Sequence, residues 1–264
     1  MGWADDALVG FDLETTGTDP ASSRIVTAAL VEAKGGEPTP GRDRHWLVDP
    51  GVEIPGEAAA IHGVTTAVAR AEGRPAAEAV DEIAAALCAR LAAGIPVVVF
   101  NAPFDLSLLQ AELDRYGLAG LGERLGGRPV GPVVDPLTLD RALDRYRKGS
   151  RTLQNACAVY GVALDGAHRA HNDALAAVRV AGAIAARHAD RLAGLDAAAL
   201  HERQAAWHAA WAEDFQGWLR RKKDPAAVVD PAWPLRRAPH AGAGAEAVPA
   251  PRAGAVPGAV RGSL

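Results

Sequence analysis

Residues 96–102, Pro-Val-Val-Val-Phe-Asn-Ala, narrow the possible folds more than any other segment. An apolar run this short is a strand rather than a helix, and one with no polar alternation is a strand buried on both faces. A strand of that kind needs layers of structure above and below it. The flanking patterns supply them. From Pro75 to Ala93 apolar residues recur at helical spacing (Ala79, Ile83, Ala86, Leu87, Leu91), and a helix from about Pro103 to Tyr116 places Leu106, Leu109 and Leu113 on one side. Before this unit, residues 7–13 and 24–33 read as strands, a turn falls at Gly35-Gly36, and residues 44–48 read as a third strand, the spacing of antiparallel connections. After it come a Gly-rich loop (Gly126, Gly127, Gly131), a brief strand at 133–135, and helical patterns at 136–147, 153–160 and 170–188. Strands first and then alternating helix and strand imply an α/β fold, a mixed sheet with helices on both faces.

Composition bounds the function. Hydrophobic residues make up 49% of the 264, enough for a core, but aromatics are only 5%, so helices must approach closely through small side chains. The net charge is −4 and the pI about 6.1, so nucleic acid could not be held by overall charge, and positive charge would have to be local. Cys88 and Cys157 lie in apolar helical contexts without zinc spacing or a disulfide framework, which implies a reducing, cytoplasmic setting. The start, MGWADDALVG, does not read as a signal peptide, and no segment reaches transmembrane length.

Three acidic elements carry the chemistry. In FDLETTG (11–17), Asp12 and Glu14 are two apart on a strand and leave it on the same face. Two such carboxylates are costly unless they share a cation, although an exposed acidic strand end would read the same. In FNAPFD (100–105), Asp105 falls in the first turn of a helix leaving the apolar strand, where the helix dipole alone would favour it. In HRAHNDA (168–174), His168 precedes a helix whose first turn holds Asp173, a position that capping also explains. Taken together, the four carboxylates all sit at element ends that a sheet can bring to one edge. A set of oxygen donors without cysteine suits Mg²⁺ or Mn²⁺. Two such ions about 4 Å apart clamp the attacking and leaving oxygens of a phosphodiester, and a nearby histidine can take the proton of the attacking water.

In order and separation, FDLETTG, NAPFD and HRAHND resemble the three motifs of the DEDDh 3′→5′ exonucleases of the DnaQ-like superfamily, which include epsilon proofreading subunits and ribonuclease T. The H-x4-D spacing of His168 and Asp173 is that of the histidine branch. The resemblance covers about residues 7–188. It implies an RNase H-like mixed five-stranded sheet flanked by helices, to which composition adds a C-terminal helical extension and a disordered tail. It also implies metal ligands at Asp12, Glu14, Asp105 and Asp173, two Mg²⁺ or Mn²⁺ ions, and His168 as general base. Leu13 and Thr15 would lie against the terminal nucleotide, and IHGVT (61–65) resembles a segment near the terminal base, making Ile61 and His62 candidate contacts. The products implied are nucleoside 5′-monophosphates from a free 3′ end.

Other readings stay open at this point. Ile61 and His62 also fit a helix-to-turn junction closed by Gly63, Phe104 fits either base stacking or the core, and His171 reads as a surface side chain rather than the base. Arg141, Arg145, Tyr146, Arg147, Lys148 and Arg151 could track a phosphate backbone or form a solvated face. Residues 1–189 read as the exonuclease domain and 190–236 as a helical extension. Its stripe of Trp207, Trp211, Phe215 and Trp218 is suited to covering the core or docking a polymerase or other protein partner. Residues 237–264, rich in Ala, Gly and Pro, read as disordered. For function, a DNA exonuclease of proofreading or repair type stands first. An RNA 3′-end trimming enzyme and a catalytically silent nucleic-acid-binding module stand as alternatives.

Overall fold

The structure, a computed structural model, describes residues 2–164 and 166–237; the tail from 238 onward, read above as disordered, lies outside the described residues. The first half holds β1 (Ala7–Thr15), β2 (Ile25–Lys34), β3 (Glu37–Pro38), β4 (Arg44–Asp49), α1 (Gly56–His62), α2 (Thr66–Glu72), β5 (Arg74–Pro75) and α3 (Ala76–Ala92). Next come β6 (Val97–Val98), α4 (Ala102–Arg115), α5 (Leu121–Arg124), β7 (Val133–Val134) and α6 (Pro136–Leu143). The chain then runs through α7 (Leu153–Tyr160), α8 (Ala170–Arg187), α9 (Ala189–Leu192) and α10 (Ala197–Lys222).

The sheet order is β5-β4-β2-β1-β6-β7, with β3 paired to β2. The β1–β2 and β2–β4 pairs are antiparallel, and β6 and β7 join β1 in parallel. Five strands make the body of the sheet; β3 and β5, two residues each, were not anticipated. Gly35 and Gly36 both have positive φ, which lets the chain reverse sharply after β2 and form β3.

The apolar run at 96–102 is buried on both faces. Val97 and Val99 join the core beneath α3 and α4, while Val98 joins the core beneath α7 and α8. β1 divides in the same way: Val9, Phe11 and Leu13 enter the first core, so Leu8, Gly10, Asp12 and Glu14 face α8. The core on the α8 side is packed with Ala174, Ala176, Ala177, Val178, Val180 and Ala181 on the helix. A helix so clad comes very near the sheet, and at Gly10 it all but touches the strand backbone. A Cβ on Gly10 would stand 2.3 Å from the Ala174 carbonyl oxygen and 2.8 Å from its carbon.

One expectation changes here. The helix read over 136–147 ends at Leu143, because Arg147 and Arg151 fold back and both pair with the buried Asp140, which also accepts from the Tyr160 hydroxyl at 2.8 Å. Arg141 lies over the Trp211 ring, 3.7 Å from its centroid, and Arg145 pairs with Asp214. Arg141, Arg147 and Arg151 are thus committed to internal structure, whereas Arg145, Tyr146 and Lys148 remain exposed. Most of the extension is one 26-residue helix, α10, lying along the outer side of β7. His201 Nδ1 accepts from the Val133 N–H at 3.1 Å, and Gln204 accepts from the Asp135 N–H at 2.7 Å while donating to the Val133 carbonyl at 3.0 Å. Trp207 packs against the core on that side, whereas Phe215 and Trp218 remain exposed, stacked 5.8 Å apart.

Gly10→Ala should cost about 3 kcal/mol or more, because the clash is with backbone. Gly182→Ala, on the open side of the same helix with nothing within 4 Å of a new Cβ, should be neutral or gain up to ~1 kcal/mol. Urea unfolding of both variants checks the pair.

Candidate active site

Asp12 and Glu14 reach the site from the α8-facing side of β1, at the end where the β1–β2 register breaks between Glu14 and Thr15. Asp105 arrives from α4. The chain turns from β6 into that helix through Asn101, whose φ of 70° is left-handed, a conformation asparagine tolerates better than most residues. The turn is held by Asp135: its carboxylate accepts from the Asn101 N–H at 2.9 Å, the Ala102 N–H at 3.3 Å, the Leu137 N–H at 2.9 Å and the Thr138 hydroxyl at 2.9 Å. Asp105 in turn accepts from the Leu13 N–H at 3.1 Å, which locks α4 to β1. Sequence reasoning passed over both Asn101 and Asp135. An aspartate followed by proline at the end of an apolar strand is a helix N-cap pattern and could have revealed Asp135.

Asp173 comes from the first turn of α8, and its Oδ2 accepts from the His168 N–H at 3.1 Å. His168 has a φ of 64°, one of two left-handed non-glycine residues among those described, the other being Asn101. Such a backbone costs of order 1 kcal/mol or more and persists only where its surroundings hold it. Here it puts an exposed imidazole beside two carboxylates: ligand atoms of Glu14, His168 and Asp173 all lie within 4.8 Å of one another.

The electrostatics are those of crowded acids. Burial, then Asp105, Asp173 and Glu14, push the Asp12 carboxyl well above the usual carboxylate range. Burial also raises Asp105, against the opposing Leu13 N–H bond and with Asp135 and Glu14 adding to it. Glu14 is pushed up to about 7 by burial and by Asp173, and Asp173 is raised by burial against the pull of His168. Asp173 Oδ1 is buried and, among the described residues, makes no hydrogen bond. Clustered carboxylates whose pKa values are raised by burial and by one another, one with an orphaned buried oxygen, fit a hard divalent cation. The Cys157 thiol senses Asp173 but is pushed up to about 11, mainly by burial, so it offers no thiolate.

The remaining candidates divide. His62 faces the Thr15 backbone and His168; burial pushes its pKa down, the Thr15 carbonyl opposes this, and His168 adds to the lowering. Ile61 is 57% exposed beside it. The Leu13 side chain points away into the core, so only its backbone belongs to the site. Phe104 is partly buried against the same core. His171 stays out of the cluster: two positions before Asp173, it leaves the helix about 200° away.

A family model described as Exonuclease (RNase_T) matches residues 9–181. A PolC-type DNA polymerase III of Halalkalibacterium halodurans is 30% identical over 171 residues, 64% of this chain and 11% of that protein. A DNA polymerase III subunit epsilon-like protein of Rhodobacter capsulatus is 37% identical over 104 residues, 39% of this chain and 14% of that one. The chain therefore spans only about a tenth of these curated relatives. Among solved structures, Exonuclease I of Methylocaldum szegediense superposes with a TM-score of 0.58 at 23% identity, covering 78% of this chain and 46% of the other. Escherichia coli Exonuclease I with a dA16 oligonucleotide gives 0.55 at 21%, covering 71% and 42%. These likenesses establish the RNase H-like fold.

A carboxyl raised in the folded chain binds a proton that the unfolded chain releases. The metal-free protein should thus lose stability as pH rises between the ordinary glutamate value of 4.5 and about 7. Melting curves at pH 5 and pH 8 should show a smaller pH-dependent drop in Glu14→Gln. Mn²⁺ affinity, measured by calorimetry, should weaken by up to roughly tenfold per pH unit below 7 for each proton displaced.

Proposed function

The chain belongs to the RNase_T family of DnaQ-like 3′→5′ exonucleases, and from that premise we propose that it hydrolyses the terminal phosphodiester of single-stranded DNA, releasing nucleoside 5′-monophosphates. The observation that carries this reading is the convergence of Asp12, Glu14, Asp105 and Asp173 with one exposed imidazole, His168.

Asp12, Glu14, Asp105 and Asp173 would hold two divalent ions, Mg²⁺ or Mn²⁺. Bound there, the ions supply charge neutralisation and Lewis acidity at the phosphate. The protein's own residues do the rest. His168 takes the proton of the attacking water, and its ring is aimed by the left-handed backbone and by the N–H bond to Asp173. Water oxygen bonds to phosphorus, the bond to the preceding 3′ oxygen breaks, and that oxygen leaves with the bonding pair and takes a proton from solvent water to become the new 3′-hydroxyl. Thr15, the Leu13 backbone, Ile61 and His62 would form the wall against which the terminal nucleotide lies, while Phe104 is partly buried against the core that takes the Leu13 side chain.

Support for DNA over RNA comes from the relatives: two are DNA polymerase III proteins, and one solved Exonuclease I holds a dA16 oligonucleotide. Residues 1–189 would be the nuclease unit and 190–236 an extension fixed to it. The exposed Phe215–Trp218 pair at the far end of α10 supports a protein-docking role there. Among the described residues no helix is long and apolar enough to cross a membrane.

The test is digestion of 5′-labelled single-stranded DNA and RNA of one sequence with Mg²⁺, Mn²⁺ or EDTA. A metal-dependent ladder shortening from the 3′ end, faster on DNA, is expected; faster loss of RNA would reassign the substrate. His168→Ala should lose about 10²–10⁴ in turnover while still binding Mn²⁺, whereas Asp12→Ala should lose both. Full activity in His168→Ala would remove the assignment of the base.

A further inference from the structure

A second group of metal-ligating side chains lies outside the acidic cleft. Asp43 ends the loop between β3 and β4, His45 is the second residue of β4, and His171 is the second residue of α8. Their potential ligand atoms all lie within 4.8 Å of one another. The two imidazole rings face each other with centroids 4.9 Å apart, and His171 Nδ1 is 3.7 Å from Asp43 Oδ2, too far for a hydrogen bond. Asp43 Oδ1 and His171 Nδ1 are both buried and, among the described residues, have no hydrogen-bond partner. Two neighbouring polar groups shielded from water without a partner are costly unless something joins them.

We propose that Asp43, His45 and His171 bind a transition-metal ion of the zinc type at a site separate from the acidic cleft. The donor set decides the class. Two imidazole nitrogens and one carboxylate oxygen suit Zn²⁺, whereas the all-oxygen cleft suits Mg²⁺ or Mn²⁺. Tetrahedral zinc with ligand bonds of about 2.0–2.2 Å sets its donors about 3.4 Å apart. Closing the present spacing requires side-chain rotation of an ångström or so, which the exposed His45 is free to make. Three protein ligands leave a fourth position for water. The site also has a place in the architecture. His171 and Asp173 leave α8 about 200° apart, so a metal on one face would pin the first turn of the helix to β4 while the other face presents Asp173 to the cleft.

Zinc binding to the metal-free full chain in an Asp12→Asn, Glu14→Gln background, which blunts the acidic cleft, tests the idea without relying on catalysis. Calorimetry with Zn²⁺ should find one tight site, and Co²⁺ should give the intense visible absorption of a four-coordinate, histidine-bound ion. His45→Ala in that background should weaken zinc at least tenfold and abolish the cobalt band, with the thermal melt without metal unchanged. Asp43→Asn should weaken zinc as well. Equal zinc affinity with and without His45, or no tight site in the parent, would overturn the proposal whatever the nuclease assay shows.

Discussion

Like charges held in one protein cleft repel strongly: two carboxylates about 4 Å apart at an effective dielectric near 20 cost about 4 kcal/mol. Asp12, Glu14, Asp105 and Asp173 act on one another in this sense, with Glu14, Asp105 and Asp173 each raising a neighbour's pKa, and no local preference of strand or helix would gather them there. The surrounding scaffold has to hold them against that force. It does so with contacts that leave little freedom. Gly10 lets α8 rest on the strand backbone, which brings the helix that carries Asp173 against β1. The Leu13 N–H ties Asp105 to the same strand, and Asp135 gathers the backbone of the β6–α4 turn around a single carboxylate. Each of these bonds is worth about 1 kcal/mol net, or somewhat more to a charged acceptor. Together with the apolar burial on both faces, they offset the repulsion, which stays until protons or cations relieve it.

Much of this arrangement was legible in the sequence because it rests on periodicity. The two-faced burial of residues 96–102 follows from the unbroken run of valines, and the shared direction of Asp12 and Glu14 follows from strand alternation. The bounds of α3, α4 and α8 lie within a residue or two of those read from their patterns. What could not be read depends on long-range partners. Nothing local in RALDRYRKGSR shows that Arg147 and Arg151 turn inward to Asp140, a contact that ends α6 early. Leu13 is a different case: its neighbours reach the cleft, and the same alternation, applied strictly, already sends its side chain to the opposite core. The left-handed turn at His168 has no glycine to announce it; it is imposed by the bond to Asp173 five residues on.

His171 shows how far chemistry can shift within one helical turn. Read along the chain, it belongs to the same short motif as His168 and Asp173. In space it faces the opposite way, towards Asp43 and His45, into surroundings with a different balance of nitrogen and oxygen donors. The first turn of α8 therefore contributes one residue to each of two separate clusters of His and acidic side chains, and their separation comes from helical geometry alone.

The side-chain amide of Gln204 does for β7 what another strand would do, accepting from one residue and donating to the next but one. An outermost parallel strand left bare offers its unpaired backbone to any other chain in extended form, the ordinary route to edge-on aggregation. By closing that edge with side chains from a helix, the molecule ends its sheet without a barrel or a further strand. The stretch that sequence composition marks off as an appendage is thus what keeps the sheet from growing.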